Sequence, residues 1–281
     1  MGDSGKMKIL EETAELVKEK IGREYGSLSI EKAVIGLFFT GVKLSNGMGG
    51  ICYTPIKDIP KAVCCPSSAG RIFNPEQING LPVKEMIAGL SSAEPIKTAV
   101  GIAALNALSA TCWQKGVTGD YTITKNRDAQ DAVRMPVEKS VAVVGAFIPT
   151  LQALKARGGS WWVIEQEPET LKEDEMPHYV PANQSDDVIS RADVLIITGV
   201  TLINHTLDGI LAASKPGAEI AVMGPTASSL PEPLFERGVR VVGGVQVTNP
   251  DKLLEILSAG GSGYHFFDKY ADRMVIEKGR R

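Results

Sequence analysis

Apolar residues recur at helical spacing over residues 7–25, where Ile9, Leu10, Leu16, Val17 and Ile21 stand among charges and Glu19 and Arg23 form an i,i+4 pair. The pattern predicts a surface helix with one buried stripe. Residues 30–42 and 50–54 are then rich in β-branched and aromatic side chains, and Ser45-Asn46-Gly47 lies between them. Because an Asn-Gly step favours a tight turn, a β-hairpin is expected. Beyond Asn79-Gly80-Leu81-Pro82 a helix is expected over 83–90. Ser91-Ser92-Ala93-Glu94 offers a capping signature for another that starts near Pro95 and runs to about Cys112. That second helix carries Ala99, Ile102, Ala103, Leu105, Ala107 and Leu108 and has no polar face, so it should be covered on most sides.

A polar stretch containing Gly119-Asp120 and Met135-Pro136 separates this unit from a differently patterned one. After it, short apolar runs at 141–144, 161–164, 194–197, 219–223 and 239–242 alternate with helical segments near 149–157, 203–214, 231–237 and 250–257. Continuous apolar strands alternating with helices predict a parallel sheet covered on both faces, with right-handed crossovers. The expected fold class is therefore α/β: an α+β unit over 1–115, a linker over 116–137, and a Rossmann-like parallel domain with a C-terminal tail over 138–281. A length of 281 residues suits two domains of ordinary size.

Two further segments carry expectations. Residues 165–187 are acidic and hold Pro168, Pro177 and Pro181, which reads as a long loop able to act as a lid. The tail opens with Gly260-Gly261-Ser262-Gly263, a flexible joint, and its Tyr264, Phe266 and Phe267 should be buried against a domain or a second subunit. A homodimer is one expected form.

Charge narrows the partners. The net charge is -3 with both signs interspersed, which leaves no electrostatic footprint for nucleic acid. Residues 1–8 lack the pattern of a secretory signal. The longest uncharged run, 98–114, falls short of the roughly 20 residues a bilayer span needs and reads as a buried helix, so no membrane association is expected. Cys52, Cys64, Cys65 and Cys112 include no C-x-x-C pair, and adjacent Cys64 and Cys65 cannot easily bridge to each other. A reduced, cytoplasmic setting fits. Vicinal thiols can chelate soft metals, although burial is the commoner fate of free cysteine.

In parallel sheets of this kind ligands bind beyond the carboxyl ends of the strands. The first strand ends in Val144-Gly145-Ala146-Phe147-Ile148-Pro149, a glycine turn without the further glycines of a dinucleotide fingerprint. Gly145 serves either a structural or a ligand-adjacent turn. Glu165 closes the second strand, about twenty residues on, where Rossmann folds place a carboxylate on a ribose hydroxyl pair. A nucleoside-containing ligand is the corresponding cofactor expectation, the alternative being that Glu165 merely opens a solvated acidic loop. The third strand ends in Thr198-Gly199-Val200-Thr201-Leu202-Ile203-Asn204-His205-Thr206, where Thr198, Thr201, Asn204 and Thr206 offer ligand contacts or helix caps. The fourth ends in Gly224-Pro225-Thr226-Ala227-Ser228-Ser229, again a rigid turn followed by hydroxyls. Such repeated loop chemistry is what a polar pocket needs. Asn106, an amide in an apolar helix, must find partners in the hairpin backbone or in a ligand. His178, His205 and His265 show no metal-ligand spacing, and there is no G-x-S-x-G elbow, P-loop or kinase signature.

With Asn106-Ala107-Leu108, Thr198-Gly199-Val200-Thr201-Leu202-Ile203-Asn204 and Gly224-Pro225-Thr226, the chain resembles the heavy-metal-chelation family of prokaryotic proteins along nearly its whole length. The resemblance implies an N-terminal part like the amino-terminal domain of enolase, followed by a Rossmann-like part with partial similarity to methyltransferases. It also implies a small-molecule pocket between the two domains, serving condensation or hydrolysis in the synthesis of flavins, pterins or siderophore-like chelators. Site residues implied are Asn106, Gly145, Glu165, Thr198, Thr201, Asn204, Gly224 and Pro225. Two functional readings follow. In the first, an enzyme uses Glu165 and Asn204 catalytically, with Thr201, Thr206 and Thr226 fixing the substrate; a methyltransferase-like version would bind S-adenosylmethionine. In the second, a non-catalytic carrier or sensor holds a metal chelate with help from Cys64 and Cys65.

Overall fold

The computed structural model describes residues 8–58 and 74–279. The first unit contains α1 (Ile9–Ile21), an antiparallel sheet of β1 (Ile30–Ile35), β2 (Phe39–Leu44) and β3 (Gly49–Tyr53), then α2 (Val83–Ile87) and α3 (Pro95–Gln114). Every α3 residue over 98–112 is buried. The sheet covers one side of the helix so closely that a Cβ at Gly50 would collide with the backbone of Ala103 and Ala107. The run over 30–42, expected as one strand of a hairpin, is instead two strands of a three-stranded meander. Gly36 makes the difference, since its missing Cβ leaves room for the Leu257 carbonyl, which a side chain there would meet at 2.6 Å.

The second unit is built on β5 (Val141–Val144), β6 (Trp161–Glu165), β7 (Tyr179–Pro181), β8 (Val194–Thr198), β9 (Glu219–Met223) and β10 (Val239–Val247), all parallel. Across the sheet they lie in the order β7-β6-β5-β8-β9-β10. Numbered along the chain this is 3-2-1-4-5-6, the doubly wound order, with its switch point between β5 and β8. Around it pack α4 (Ile148–Arg157), α5 (Asp186–Arg191), α6 (Leu207–Ala213), α7 (Glu232–Glu236), α8 (Pro250–Ser258) and α9 (Gly263–Phe266). The β-branched runs Val141–Val144 and 194–197 are buried throughout, as sheet residues covered on both faces must be.

Two strands lie beyond this parallel core. β11 (Ala271–Lys278) runs antiparallel to β10, and β4 (Tyr121–Lys125) runs antiparallel to β11. The 116–137 stretch therefore supplies the sheet's edge strand as well as the connection between units. Short β7, likewise, falls within the acidic stretch expected as loop.

The units share their apolar interior. Ile51 of the first packs in one cluster with Val245, Val247, Leu253, Leu254, Leu257 and Phe266 of the second. In the tail, Phe266 is buried with its ring edge-on to Phe39 at 5.3 Å, and Phe267 is partly buried. Tyr264, expected inside with them, is 94% exposed. No helix among the described residues is long and apolar enough to cross a membrane.

Candidate functional site at the strand switch point

The ends of β5, β6 and β8 come together at the switch point. Gly145 takes φ +98°, and its N–H donates to the Ile164 carbonyl at 2.9 Å. A Cβ there would press on Thr198 Cγ2 at 3.0 Å, so glycine lets the neighbouring strand ends sit close. Glu165 faces the same turn. Its carboxylate accepts the N–H of Ala146 at 3.1 Å, of Gln166 at 2.8 Å and of Glu167 at 3.4 Å. The next strand end is also tied: Thr198 Oγ1 accepts from the Val200 N–H at 3.4 Å, and buried Thr201 donates its hydroxyl to the Thr198 carbonyl at 2.6 Å.

This turn differs from a dinucleotide cradle. The Ala146 N–H is taken by Glu165, the Phe147 N–H bonds the Gly145 carbonyl at 3.0 Å, and Pro149 has no N–H to give. Few amides therefore remain for a pyrophosphate. Glu165 keeps lone pairs beyond its three backbone bonds, so a hydroxyl or N–H of a ligand could still be accepted there.

The first unit reaches the same place. Tyr53 ends β3, and its half-buried phenol is held above its ordinary pKa by burial first and by the Glu165 carboxylate second. A few residues on, Lys57 forms an ion pair with Glu167. Neither Tyr53 nor Lys57 stands out in the sequence. Their place near Glu165 and Glu167 follows from how the first unit packs on the second, which no local pattern encodes.

Beneath lies a buried polar knot between the units. Asn106, 2% exposed on α3, directs its amide hydrogens at three carbonyls: Ile51 at 2.8 Å, Thr226 at 3.2 Å and Pro225 at 3.3 Å. Those acceptors fix the orientation of the amide, because the flipped form would set oxygen against oxygen. Its Oδ1 has no hydrogen-bond partner among the described residues. Thr226, also 2% exposed, accepts the Tyr53 N–H at 3.1 Å and lies 3.8 Å from the Cys52 sulfur. Gly224 enters this turn at φ +118°, and the Pro225 carbonyl also accepts the Ser228 hydroxyl at 2.7 Å. Gly224, Pro225, Thr226 and Asn106 thus clamp one unit to the other directly behind Tyr53.

Asn204 and Thr206 meet each other elsewhere. Both are exposed, and Asn204 Oδ1 accepts from the Thr206 N–H at 3.2 Å and the Thr206 hydroxyl at 2.7 Å, at the entrance to α6. Between them His205 adopts φ +58° and brings Nε2 to 3.3 Å from the Ser92 carbonyl of the first unit. His205 and Thr201 line a pocket of about 250 Å³ together with Glu11, Ser91 and Asp208. Glu165, Asn106 and Thr226 do not line it. No group of three or more His, Cys, Asp or Glu among the described residues could hold a metal ion, and Cys64 and Cys65 lie outside those residues.

Fold and contacts together define a two-unit α/β protein in which a small α+β unit packs against a doubly wound sheet. The chain belongs to the family described as "Putative heavy-metal chelation": one family model of that description matches residues 128–276 and a second matches residues 18–109. An uncharacterized protein of Methanocaldococcus jannaschii is 26% identical over 189 residues, covering 66% of this chain and 68% of that one. Two solved structures of family members of unknown function share the fold. The one from Pyrococcus horikoshii has a TM-score of 0.73 at 22% identity, over 96% of this chain and 99% of that one. The one from Desulfitobacterium hafniense has a TM-score of 0.70 at 20% identity, over 95% and 98%.

Proposed function

We propose that the protein binds a small heterocyclic metabolite, of the kind from which metal chelators are built, in the crevice where Tyr53 of the first unit faces Glu165 of the second, and that it carries out a condensation or hydrolysis there. The observations behind this reading are the three backbone N–H groups that hold the Glu165 carboxylate at the strand ends and the Tyr53 phenol, near enough to feel its charge. The phenol keeps its proton and can donate, while the carboxylate can only accept when ionised. A donor beside an acceptor suits the lactam edge of a pterin-like or flavin-like ring, which offers C=O next to N–H. The family's association with chelation favours the same ligand class. In this reading Glu165 positions the substrate or takes its proton, Thr198 and Thr201 shape the adjoining wall, and Asn106 and Thr226 hold Tyr53 in register.

The test is a calorimetric titration with adenosine compounds including S-adenosylmethionine, pterins, flavins and metal chelates. A ligand bound by wild type should bind about 10-fold to 100-fold more weakly to Glu165→Gln, the loss expected when a hydrogen bond to a charged group is removed. Tyr53→Phe should weaken it also. Equal binding by all three proteins would reject the site, and binding without turnover would leave the carrier reading in place of the enzyme.

A further inference from the structure

At the opposite edge of the sheet, where the parallel strands begin, lies a groove of about 680 Å³. It runs between the turn at 214–218 ahead of β9 and the turn at 237–240 ahead of β10, with Arg134 on one side and Lys278, the last residue of β11, on the other. Several of its charged groups are already committed to one another. Lys215 pairs with Asp193 at 2.5 Å, Arg237 with Glu12 at 2.5 Å, and Glu277 with Arg127 at 2.8 Å. Cations at the C-terminal ends of α6 and α7 are ordinary, since they complement the helix dipoles. Lys278 serves that role in part, donating to the Phe235 carbonyl at 2.7 Å, but a carbonyl leaves its charge uncompensated.

Arg134 and Arg240 fit no such account. Both are exposed, and neither has an ion pair among the described residues. Arg240 is placed deliberately by the fold. On β10, Val239 pairs with Ile220 and Val241 with Ala221, so Arg240 is the extra residue of a β-bulge, exposed between two buried valines. Bulges re-aim a side chain. Here the bulge takes a guanidinium out of a covered sheet and into the groove.

The antiparallel register with β11 adds an independent observation. The ladder ends at the pair Val241 and Glu277, and Arg240 and Lys278 are the next residue of each strand beyond it. Like charges close together repel. In a chain whose net charge is -3, two cations lie just beyond the end of one ladder with a third, Arg134, lining the same groove, and among the lining residues only Glu219 opposes them uncommitted.

The geometry points to a second binding site, for a small oxyanion carrying two or more negative charges, held by the guanidinium groups of Arg134 and Arg240 with the Lys278 ammonium. Guanidinium forks match phosphate and carboxylate oxygens in pairs. The groove has the size of a small-molecule site, which suits a phosphorylated metabolite or a polycarboxylate.

The experiment titrates pyrophosphate, and separately citrate, into the full chain at ionic strength held constant with sodium chloride. Wild type should bind one or both saturably, the two arms telling phosphate from carboxylate. Arg134→Ala/Arg240→Ala should bind at least 10-fold more weakly while its circular dichroism stays unchanged. A second variant reads the free protein: Arg240→Gln should melt higher than wild type at low salt without added anion, because the repulsion among these cations is reduced. No saturable binding, or equal affinity in the double variant, overturns the site. A lower melting temperature for Arg240→Gln in anion-free buffer would overturn the claim of uncompensated charge.

Discussion

The Tyr53 phenol and the Glu165 carboxylate end strands of two different sheets, and the carboxylate's field adds to burial in holding the phenol above its ordinary pKa. Removing the charge tests whether the units meet as described. In Glu165→Gln the pKa of Tyr53 should fall toward its ordinary value without reaching it, because burial, the larger cause, remains. Titration of the tyrosine ring carbons by NMR reads this directly. An unchanged Tyr53 curve would separate the two residues.

Asn106 should be among the costliest polar positions to change. Asn106→Ala leaves the Ile51, Pro225 and Thr226 carbonyls without their buried donor and opens a small void. A loss of about 2–4 kcal/mol is expected. Asn106→Asp should cost more, since it turns a carboxylate oxygen toward the same carbonyls. Urea unfolding midpoints check both, and a shift below about 0.5 kcal/mol for either would remove the clamp from the account.

Alkaline stability should follow a half-buried tyrosine. Tyr121 accepts a hydrogen bond from Trp113 Nε1 at 3.1 Å, and its phenol is pushed up to about 12, chiefly by burial. In the unfolded chain a tyrosine titrates near 10. Between these values the unfolded state has released a proton that the folded state keeps, so stability falls as pH rises from about 10 to about 12 and is unaffected below that window. Tyr121→Phe should therefore lose less stability than wild type between about pH 10 and about pH 12. Tyr25 and Tyr53 are raised as well, so a residual slope will persist. Equal slopes in the two proteins would contradict this assignment.

Cys52 and Cys112 should be inert thiols. Both are fully buried, and burial pushes the Cys112 thiol up to about 11 and the Cys52 thiol higher still. The thiolate is the reactive form, so at neutral pH iodoacetamide should leave peptides carrying these two cysteines unmodified in native protein and label them fully after denaturation. Rapid native labelling of Cys52 would mean that β3 parts readily from Thr226.

How far the fold could be read in advance depended on what each segment buries. The strands at 141–144 and 219–223 were legible because a parallel strand covered on both faces is a near-continuous apolar run. β4 and β11 were not, since both carry charges and pair at the open side of the sheet, as in the register Thr122 to Glu277. Gly36 hid a turn inside an apolar run, because its role depends on Leu257, more than two hundred residues away. For the site, Gly145 and Glu165 could be singled out from their places at strand ends. Asn106 could be flagged as an amide needing partners, though not that Pro225 and Thr226 of the other unit would supply two of them. Tyr53 and Lys57 left no signal, because only the packing of one unit on the other places them opposite Glu165 and Glu167.

Hydrogen–deuterium exchange of the full chain, with and without the ligand that stabilises it most in a thermal-shift screen, tests the central claim most directly. Slowed exchange is expected together at the ends of β3, β5, β6 and β8, on amides of residues 53–57, 144–147, 165–167 and 198–202. Protection confined to other regions, with the Glu165 and Tyr53 segments exchanging as in the free protein, would contradict a ligand site at the switch point.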